Sequence, residues 1–401
     1  MHRSSVRGST GAGAAPMTGQ ARLTSIDMLR GVVVVLMALD HTRDFFGPTA
    51  FAPEDLAATT PAWYWTRWIT HLCATVFVLL AGTSAWLRGA RSAGGDAAGP
   101  GRTALPALSR HLAARGLLLV LLEVTWINFS WQFGYNLIVL QVIWALGMGM
   151  LLLSVLVWLP RWAIALVAAL LVCGHNTLDA WRPGGPVWQA LHQGGYHPLG
   201  ESFGIVFAYP LLPWLGLMAA GYAIGPWFAA GVPASRRRRR LLGAAGGLLL
   251  AFLLLRAANL YGDPAPWSAQ GRGWMFDLMA FVRVHKSPPS LQYLLVTGSM
   301  GLALLAAFER VRPVGWVQLF GRTPLFFYTV HVALIHLLGE LYFHLRFGAA
   351  PEFNGPIPRL PAGYQPSLAV VYVAWLCMLL LMYVLTRLWL RRRGRAVTAP
   401  A

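Results

Sequence analysis

The sequence predicts an all-α, polytopic transmembrane bundle of about ten spans, and three observations carry that prediction. Hydrophobic residues make up 57% of the 401-residue chain and charged residues only 11%, a composition suited to lipid contact. The apolar residues gather into separate stretches of roughly 17 to 25, the length that crosses a hydrocarbon core. The arginines fall at alternate boundaries of those stretches, as a topology signal requires.

The predicted spans lie near 27–46, 66–88, 110–129, 137–159, 161–178, 203–227, 239–260, 290–309, 316–343 and 366–390. An N-terminus inside puts Arg3, Arg7, Arg22 and Arg30 in the cytoplasm. Arg88, Arg91, Arg102, Arg110 and Arg115 follow in the loop after the second span, then Arg161, the run Arg236 to Arg240, Arg310, Arg312 and the tail from Arg387 to Arg395. The acids Glu54, Asp55, Asp179, Glu201, Asp263, Asp277 and Glu352 go to the other side. An odd number of spans destroys this asymmetry, so both termini are expected inside. The chain divides into a disordered cytoplasmic tail over 1–24, a membrane domain over 25–392 and a second cytoplasmic tail over 393–401.

The formal charge of +18 would suit a nucleic-acid partner if it were gathered on one face. Its distribution at span ends argues for membrane lipid and no nucleic acid. Eighteen tryptophans and nineteen phenylalanines suit aromatic belts at both headgroup layers. Cys73, Cys173 and Cys377 lie inside spans without metal-ligand spacing, and His331 and His336 point about 140° apart on a helix, so no metal site is expected. No phosphate loop, dinucleotide-binding glycine pattern or nucleophile elbow occurs. The outer loops 47–65, 179–202, 261–289 and 344–365 are longer than the inner ones and carry Trp, His, Asp, Tyr and Pro, which places recognition on the outer face.

In the first span, Asp27 and Arg30 share a face at the inner end, and Asp40, His41 and Asp44 close the outer end. An acid beside an imidazole at a membrane boundary suits a general base. In the second span Arg67, His71 and Thr75 share a face, with His71 one turn inside the boundary. An ionisable side chain there costs several kcal/mol unless it is paired, so it marks function or a specific partner. Glu123 in the third span needs protonation or a partner, Arg115 or a group on another span. The ninth span sets Tyr328 with His331 on one face and His336 with Glu340 on another, and Arg322 at its inner end suits a phosphate.

Three segments resemble a known family. They are Arg22-Leu-Thr-Ser-Ile-Asp-Met-Leu-Arg-Gly31, Phe77-Val-Leu-Leu-Ala-Gly-Thr-Ser84, and Phe320-Gly-Arg-Thr-Pro-Leu-Phe-Phe-Tyr328 followed by His331 and His336. The chain resembles the multipass membrane acyltransferases related to heparan-α-glucosaminide N-acetyltransferase. That resemblance implies acetyl transfer from cytoplasmic acetyl-CoA to a carbohydrate amine or hydroxyl on the extracytoplasmic side, with a histidine near the outer end of the early spans as base. It also implies a homodimer. Asp27, Arg30 and Arg322 would then hold the nucleotide, and Arg67, Asp44, Tyr328, His331 and His336 the substrates. The better-known members place their base before the second span, where residues 47–65 here hold no histidine, so His41 and His71 are both candidates, with Asp40 assisting. The expected location is a bacterial inner membrane. A proton-coupled transporter built on His71, Glu123, His331 and Glu340 is the alternative, and a membrane assembly protein without chemistry is a third reading.

Overall fold

The computed structural model describes residues 23–92, 99–201, 203–353 and 359–398. The tail assigned to 1–24, with Arg3, Arg7 and Arg22, lies outside these up to residue 22, whereas most of the one assigned to 393–401 continues the last helix to Thr398. The described chain is mainly helical, with twelve main helices, short helical turns at 186–193 and Gly225–Phe228, and three short strands among the described residues.

Helix α1, Thr24–Phe46, is buried along nearly its whole length at the centre of the bundle. Helix α2 runs over Pro61–Ser92 with a 3-10 turn at Ile69–His71. It starts earlier than the predicted span because the Thr60 side chain accepts from the Trp63 N–H and Pro61 occupies the first helical position, a strong start signal. Helix α3, Arg102–Gln132, carries a π-bulge at Glu123–Ile127. Helix α4 covers only Val142–Leu156, α5 Arg161–Leu178 and α6 only Leu211–Ala223. They are followed by α7 (Ala234–Ala258), α8 (Trp274–Val282), α9 (Leu291–Phe308), α10 (Gly315–Arg322), α11 (Pro324–Phe347) and α12 (Leu368–Thr398).

Seven of the described helices are long and apolar enough to cross a membrane, and α4 and α6 are shorter apolar helices. The fourth and sixth predicted spans are therefore only partly helical. At 1.5 Å per residue α4 and α6 reach about 20 Å, short of a ~30 Å core. Their missing ends are strands: β1 (Ile138–Leu140) leads into α4 and β3 (Gly204–Phe207) into α6, paired in parallel, with β2 (Gly195–Pro198) antiparallel on the far edge of β3. Backbone of this kind persists at membrane depth only where protein covers it or where it lines a wet cavity. Asn128 pins β1, its Oδ1 accepting from the Val139 N–H at 2.7 Å and its Nδ2 donating to the Val139 carbonyl at 3.1 Å.

The π-bulge turns Glu123 toward the start of α4, where its Oε2 accepts the Trp144 N–H at 3.0 Å. A buried acid thus meets the positive end of a half-helix, and neither Arg115 nor another basic side chain is its partner. The ninth predicted span breaks at Pro324, because proline favours the first turn of a new helix over the interior of an old one. Helix α10 then packs antiparallel on the first turns of α1. A Cβ at Gly31 would run into the Val317 carbonyl and one at Gly321 into the Asp27 carbonyl, so two of the segments that carry the family resemblance form one backbone-to-backbone contact.

At the end of the bundle that the sequence places outside, the last turn of α7 carries Arg256, which is only 1% exposed. Its guanidinium donates to the carbonyls of Phe281, Ala265, Ala280 and Arg283 at 2.6–3.0 Å. It ties the loop 261–289 over the bundle, which accounts for an arginine at an outer helix end. Trp68 Nε1 and the Tyr64 hydroxyl fasten α2 to the same loop through the carbonyls of Val282 and Met279.

Candidate active site

Two cavities approach one another inside the bundle. The one nearer the end that the sequence places inside, hereafter the inner cavity, has about 250 Å³ and is lined by Arg30, Ser84, Arg88, His111 and Arg115 and by Phe77, Ala81, Leu119, Val142, Leu325 and Tyr328. All three segments of the family resemblance contribute to it. Phe77, Ala81, Ser84 and Arg88 follow at three- and four-residue spacing, so a single face of α2 supplies one wall. Arg30 is drawn to that wall by donating to Ser84 Oγ and to the Leu80 carbonyl. His111 and Arg115, one turn apart on α3, face it. The result is a cationic mouth over an apolar shaft.

Of the residues expected at the inner end, only Arg30 lines this cavity. Asp27 is buried and lies 3.6 Å from the half-exposed Arg322, an ion pair across the α1–α10 contact. Arg88, His111 and Arg115 take the places that sequence reasoning gave to Asp27 and Arg322. Reading Arg88 and Arg115 as orientation signals hid them, and His111 was not singled out, although the α2 spacing from Phe77 to Arg88 was visible.

The outer cavity, about 580 Å³, is lined by Arg43, Asp44, Phe45, Phe51, Arg67, Trp131, Gln132, Val139, Gln141 and Phe353. Four of these, Trp131 and Gln132 at the end of α3 and Val139 and Gln141 in or beside β1, come from the strand and the chain that leads into it, which accounts for strands in place of helix here. A further pocket of about 470 Å³ shares Ala52 and Arg67 with it and reaches Glu54, Asp263, Arg283, His285 and Lys286.

His41 sits between the cavities. Its ring meets Trp131, of the outer cavity, edge-on at 5.0 Å and Tyr328, of the inner cavity, edge-on at 6.3 Å. His41 Nδ1 lies 2.8 Å from His331 Nε2. His331 Nδ1 lies 2.9 Å from the Phe327 carbonyl and 2.8 Å from the Tyr328 carbonyl. Carbonyls only accept, so Nδ1 of His331 carries the proton and its Nε2 is an acceptor. His41 Nδ1–H therefore donates to it, and His41 Nε2 keeps its lone pair, the form a general base needs. The second histidine, from α11, fixes the tautomer of the first.

Asp40 does not perform that task. Its oxygens are taken by Arg67 at 2.9 and 3.1 Å, Thr70 Oγ1 at 2.9 Å and Arg43 at 3.0 Å, with Lys286 at 3.7 Å. Asp40 gathers the cations of the outer vestibule, and Arg43 in turn pairs with Asp44 at the rim.

His71 is also committed: its Nε2 lies 2.6 Å from Glu54 Oε1, and its backbone carbonyl accepts the Tyr293 hydroxyl at 2.7 Å. Burial pushes the Glu54 carboxyl up, but Arg67 beside it and the His71 hydrogen bond more than reverse this and hold it well below the usual carboxylate range. Glu54 and Lys286 are therefore vestibule residues that the sequence did not single out. His336 stands behind the cavity wall, stacked on Phe133 at 3.8 Å, donating to the Ser130 carbonyl at 3.0 Å and lying 3.6 Å from Glu340. It packs against Phe45 and Phe353, two residues of the outer cavity wall, and does not itself line the cavity.

Comparison with known proteins agrees with the convergence of the three segments. The profile of the heparan-alpha-glucosaminide N-acetyltransferase catalytic family matches residues 22–254. That range contains α1 to α3, and with them His41, Arg67 and the cationic mouth, whereas Tyr328 and His331 come from beyond it. No curated protein matches the chain. The profile covers more than half of the sequence, and the chain belongs to the heparan-alpha-glucosaminide N-acetyltransferase catalytic family, a family of membrane acetyltransferases.

Proposed function

We propose that the protein transfers an acetyl group from acetyl-CoA, held in the inner cavity, to an amine or hydroxyl of a carbohydrate in the outer cavity, with His41 as general base. The observation that carries this reading is the free Nε2 of His41 at the boundary of two cavities of opposite character. The cationic mouth of Arg30, Arg88, His111 and Arg115 suits the nucleotide phosphates. The apolar shaft suits a pantetheine arm, and the aromatic and polar walls around Trp131, Gln132 and Gln141 suit a sugar.

His41 takes the acceptor's proton as nitrogen or oxygen attacks the thioester carbonyl, then returns it to the departing sulfur. Arg67, locked by Asp40, Glu54 and Thr70, and Asp44 at the rim orient the acceptor. Asp27 and Arg322 brace the α1–α10 contact beneath the mouth.

A ten-span threading with both ends inside accompanies this proposal. Contacts between helices support it by joining ends that such a threading puts on one side. Ser25 and Arg237 both bond Glu309 at the inner ends, and the Tyr364 hydroxyl meets the Phe46 carbonyl at the outer ends.

The test is release of free thiol from acetyl-CoA by the purified protein in detergent with glucosamine as acceptor. His41→Ala is expected to abolish release while leaving calorimetric binding of acetyl-CoA intact. Full activity in His41→Ala refutes the base, and no binding at millimolar acetyl-CoA refutes the donor.

A further inference from the structure

Buried polar atoms without partners are uncommon in a folded protein, and each calls for an explanation. Among the described residues two of them, on Tyr328 and Trp131, belong to rings that meet His41. The Tyr328 hydroxyl and Trp131 Nε1, both donors, make no hydrogen bond, and neither does Glu123 Oε1 or Gln132 Oε1. Tyr328 is 4% exposed, lines the inner cavity and meets the His41 ring edge-on. Its backbone carbonyl receives His331 Nδ1–H, so the residue that supplies the hydroxyl also helps to fix the histidine pair. Glu123 Oε1 also lacks a partner, so the hydroxyl and this carboxylate oxygen are not hydrogen-bonded to each other. A phenol held without an acceptor in an apolar shaft is a donor waiting for a ligand oxygen.

The geometry points to Tyr328 as a catalytic residue that donates its O–H to the carbonyl oxygen of the acyl thioester and holds the oxyanion that forms there. This rests on the reading of His41 as base. The acceptor's lone pair attacks the carbonyl carbon and the new C–N or C–O bond forms as the acceptor's proton passes to His41 Nε2. The carbonyl π electrons move onto oxygen, where the Tyr328 hydroxyl meets the negative charge. Collapse restores the carbonyl, breaks the C–S bond, and the thiolate takes the proton from His41. A preorganised donor in a site closed to water acts mainly on the transition state, since the carbonyl of the ground state carries much less charge.

Tyr328→Phe removes one oxygen and keeps the ring. The expected result is a kcat lower by roughly 100-fold, with the Kd of acetyl-CoA and the KM of the acceptor within twofold of the unaltered protein. A kcat within twofold overturns the assignment, and so does a Kd that rises in proportion to the loss of activity. A second measurement alters the acetyl donor. The dithioester analogue of acetyl-CoA, with sulfur for the carbonyl oxygen, accepts hydrogen bonds poorly and is expected to react much more slowly with the unaltered protein, and this discrimination is expected to shrink in Tyr328→Phe. Equal oxygen-to-sulfur discrimination in both proteins overturns the assignment. His41→Ala run beside them separates the two ideas: an inactive His41→Ala with an unimpaired Tyr328→Phe sinks the donor and spares the base, whereas an active His41→Ala sinks the base.

Discussion

Replacing His331 by leucine tests the histidine pair directly. Leucine fills much of the same volume but offers no acceptor to the His41 Nδ1–H, which now lies 2.8 Å from His331 Nε2. His331 is 0% exposed and His41 8%, so water does not readily replace the lost partner. Leaving a buried donor unpaired costs about 1–3 kcal/mol, and at about 1.4 kcal/mol per tenfold this predicts a loss of roughly 5- to 150-fold in kcat/KM. The loss arises because an unfixed imidazole spends time in the other tautomer or turned from the acceptor. The assay is thiol release at saturating acetyl-CoA, with calorimetric binding of acetyl-CoA as a check that the bundle is intact. His331→Gln, whose side-chain carbonyl still accepts, is expected to recover part of the loss. Activity within twofold in His331→Leu, or equal damage from leucine and glutamine, would refute the claim that the hydrogen bond orients His41.

Three further outcomes follow from the geometry. Arg88→Ala and Arg115→Ala are each expected to raise the KM for acetyl-CoA by roughly 10- to 100-fold, as loss of a charge-assisted hydrogen bond would, with little effect on acetylpantetheine, which lacks the nucleotide. Kinetics with both donors checks this. Gly321→Ala sets a Cβ against the Asp27 carbonyl and is expected to cost about 1–3 kcal/mol, seen as a lower thermal midpoint in detergent. Gly243→Ala, which meets nothing within 4 Å, is expected to leave the midpoint unchanged. Because the Glu54 carboxyl is held below its usual range, it stabilises the folded state above the ordinary glutamate pKa of about 4.3, and that contribution fades as pH falls further. The stability gap between the unaltered protein and Glu54→Gln, followed by thermal unfolding, is expected to be constant from pH 7 to about 5 and to narrow below about 4.3.

The order of the helices was legible because lipid imposes a length and a polarity on each one. Three departures have local causes. The spans predicted over 137–159 and 203–227 are apolar throughout, and hydropathy does not separate a strand lining a cavity from the helix it enters. The break at Pro324 was written in the sequence, but the apolar run on both sides masked it. Glu123 found its partner in the backbone of another element, which spacing along one helix does not reveal.

At the site, His41, Arg67, Asp44 and Tyr328 were visible as polar groups at apolar depth. The pairing of His41 with His331 was not, since it joins residues 290 positions apart. Asp40 beside His41 suggested contact between the two side chains. Adjacent positions on a helix point about 100° apart, and Asp40 turns instead to Arg67. Arg88 and Arg115 were hidden because a cation near a helix end satisfies the topology rule whether or not it also faces a cavity.

The boundary between the cavities has an electrical consequence. The two cavities share no lining residue, and the ring of His41 stands between Trp131 of the outer one and Tyr328 of the inner one. In the proposed reaction an acetyl equivalent leaves the inner compartment, and the proton taken from the acceptor ends on the coenzyme's sulfur in that same compartment. For a neutral acceptor the acyl cation equivalent moving outward is matched by a proton moving inward, so each turnover is an electroneutral antiport carried out by bond exchange. A membrane voltage contributes about 2.3 kcal/mol per elementary charge per 100 mV, and with no net charge displaced it neither drives nor opposes the reaction.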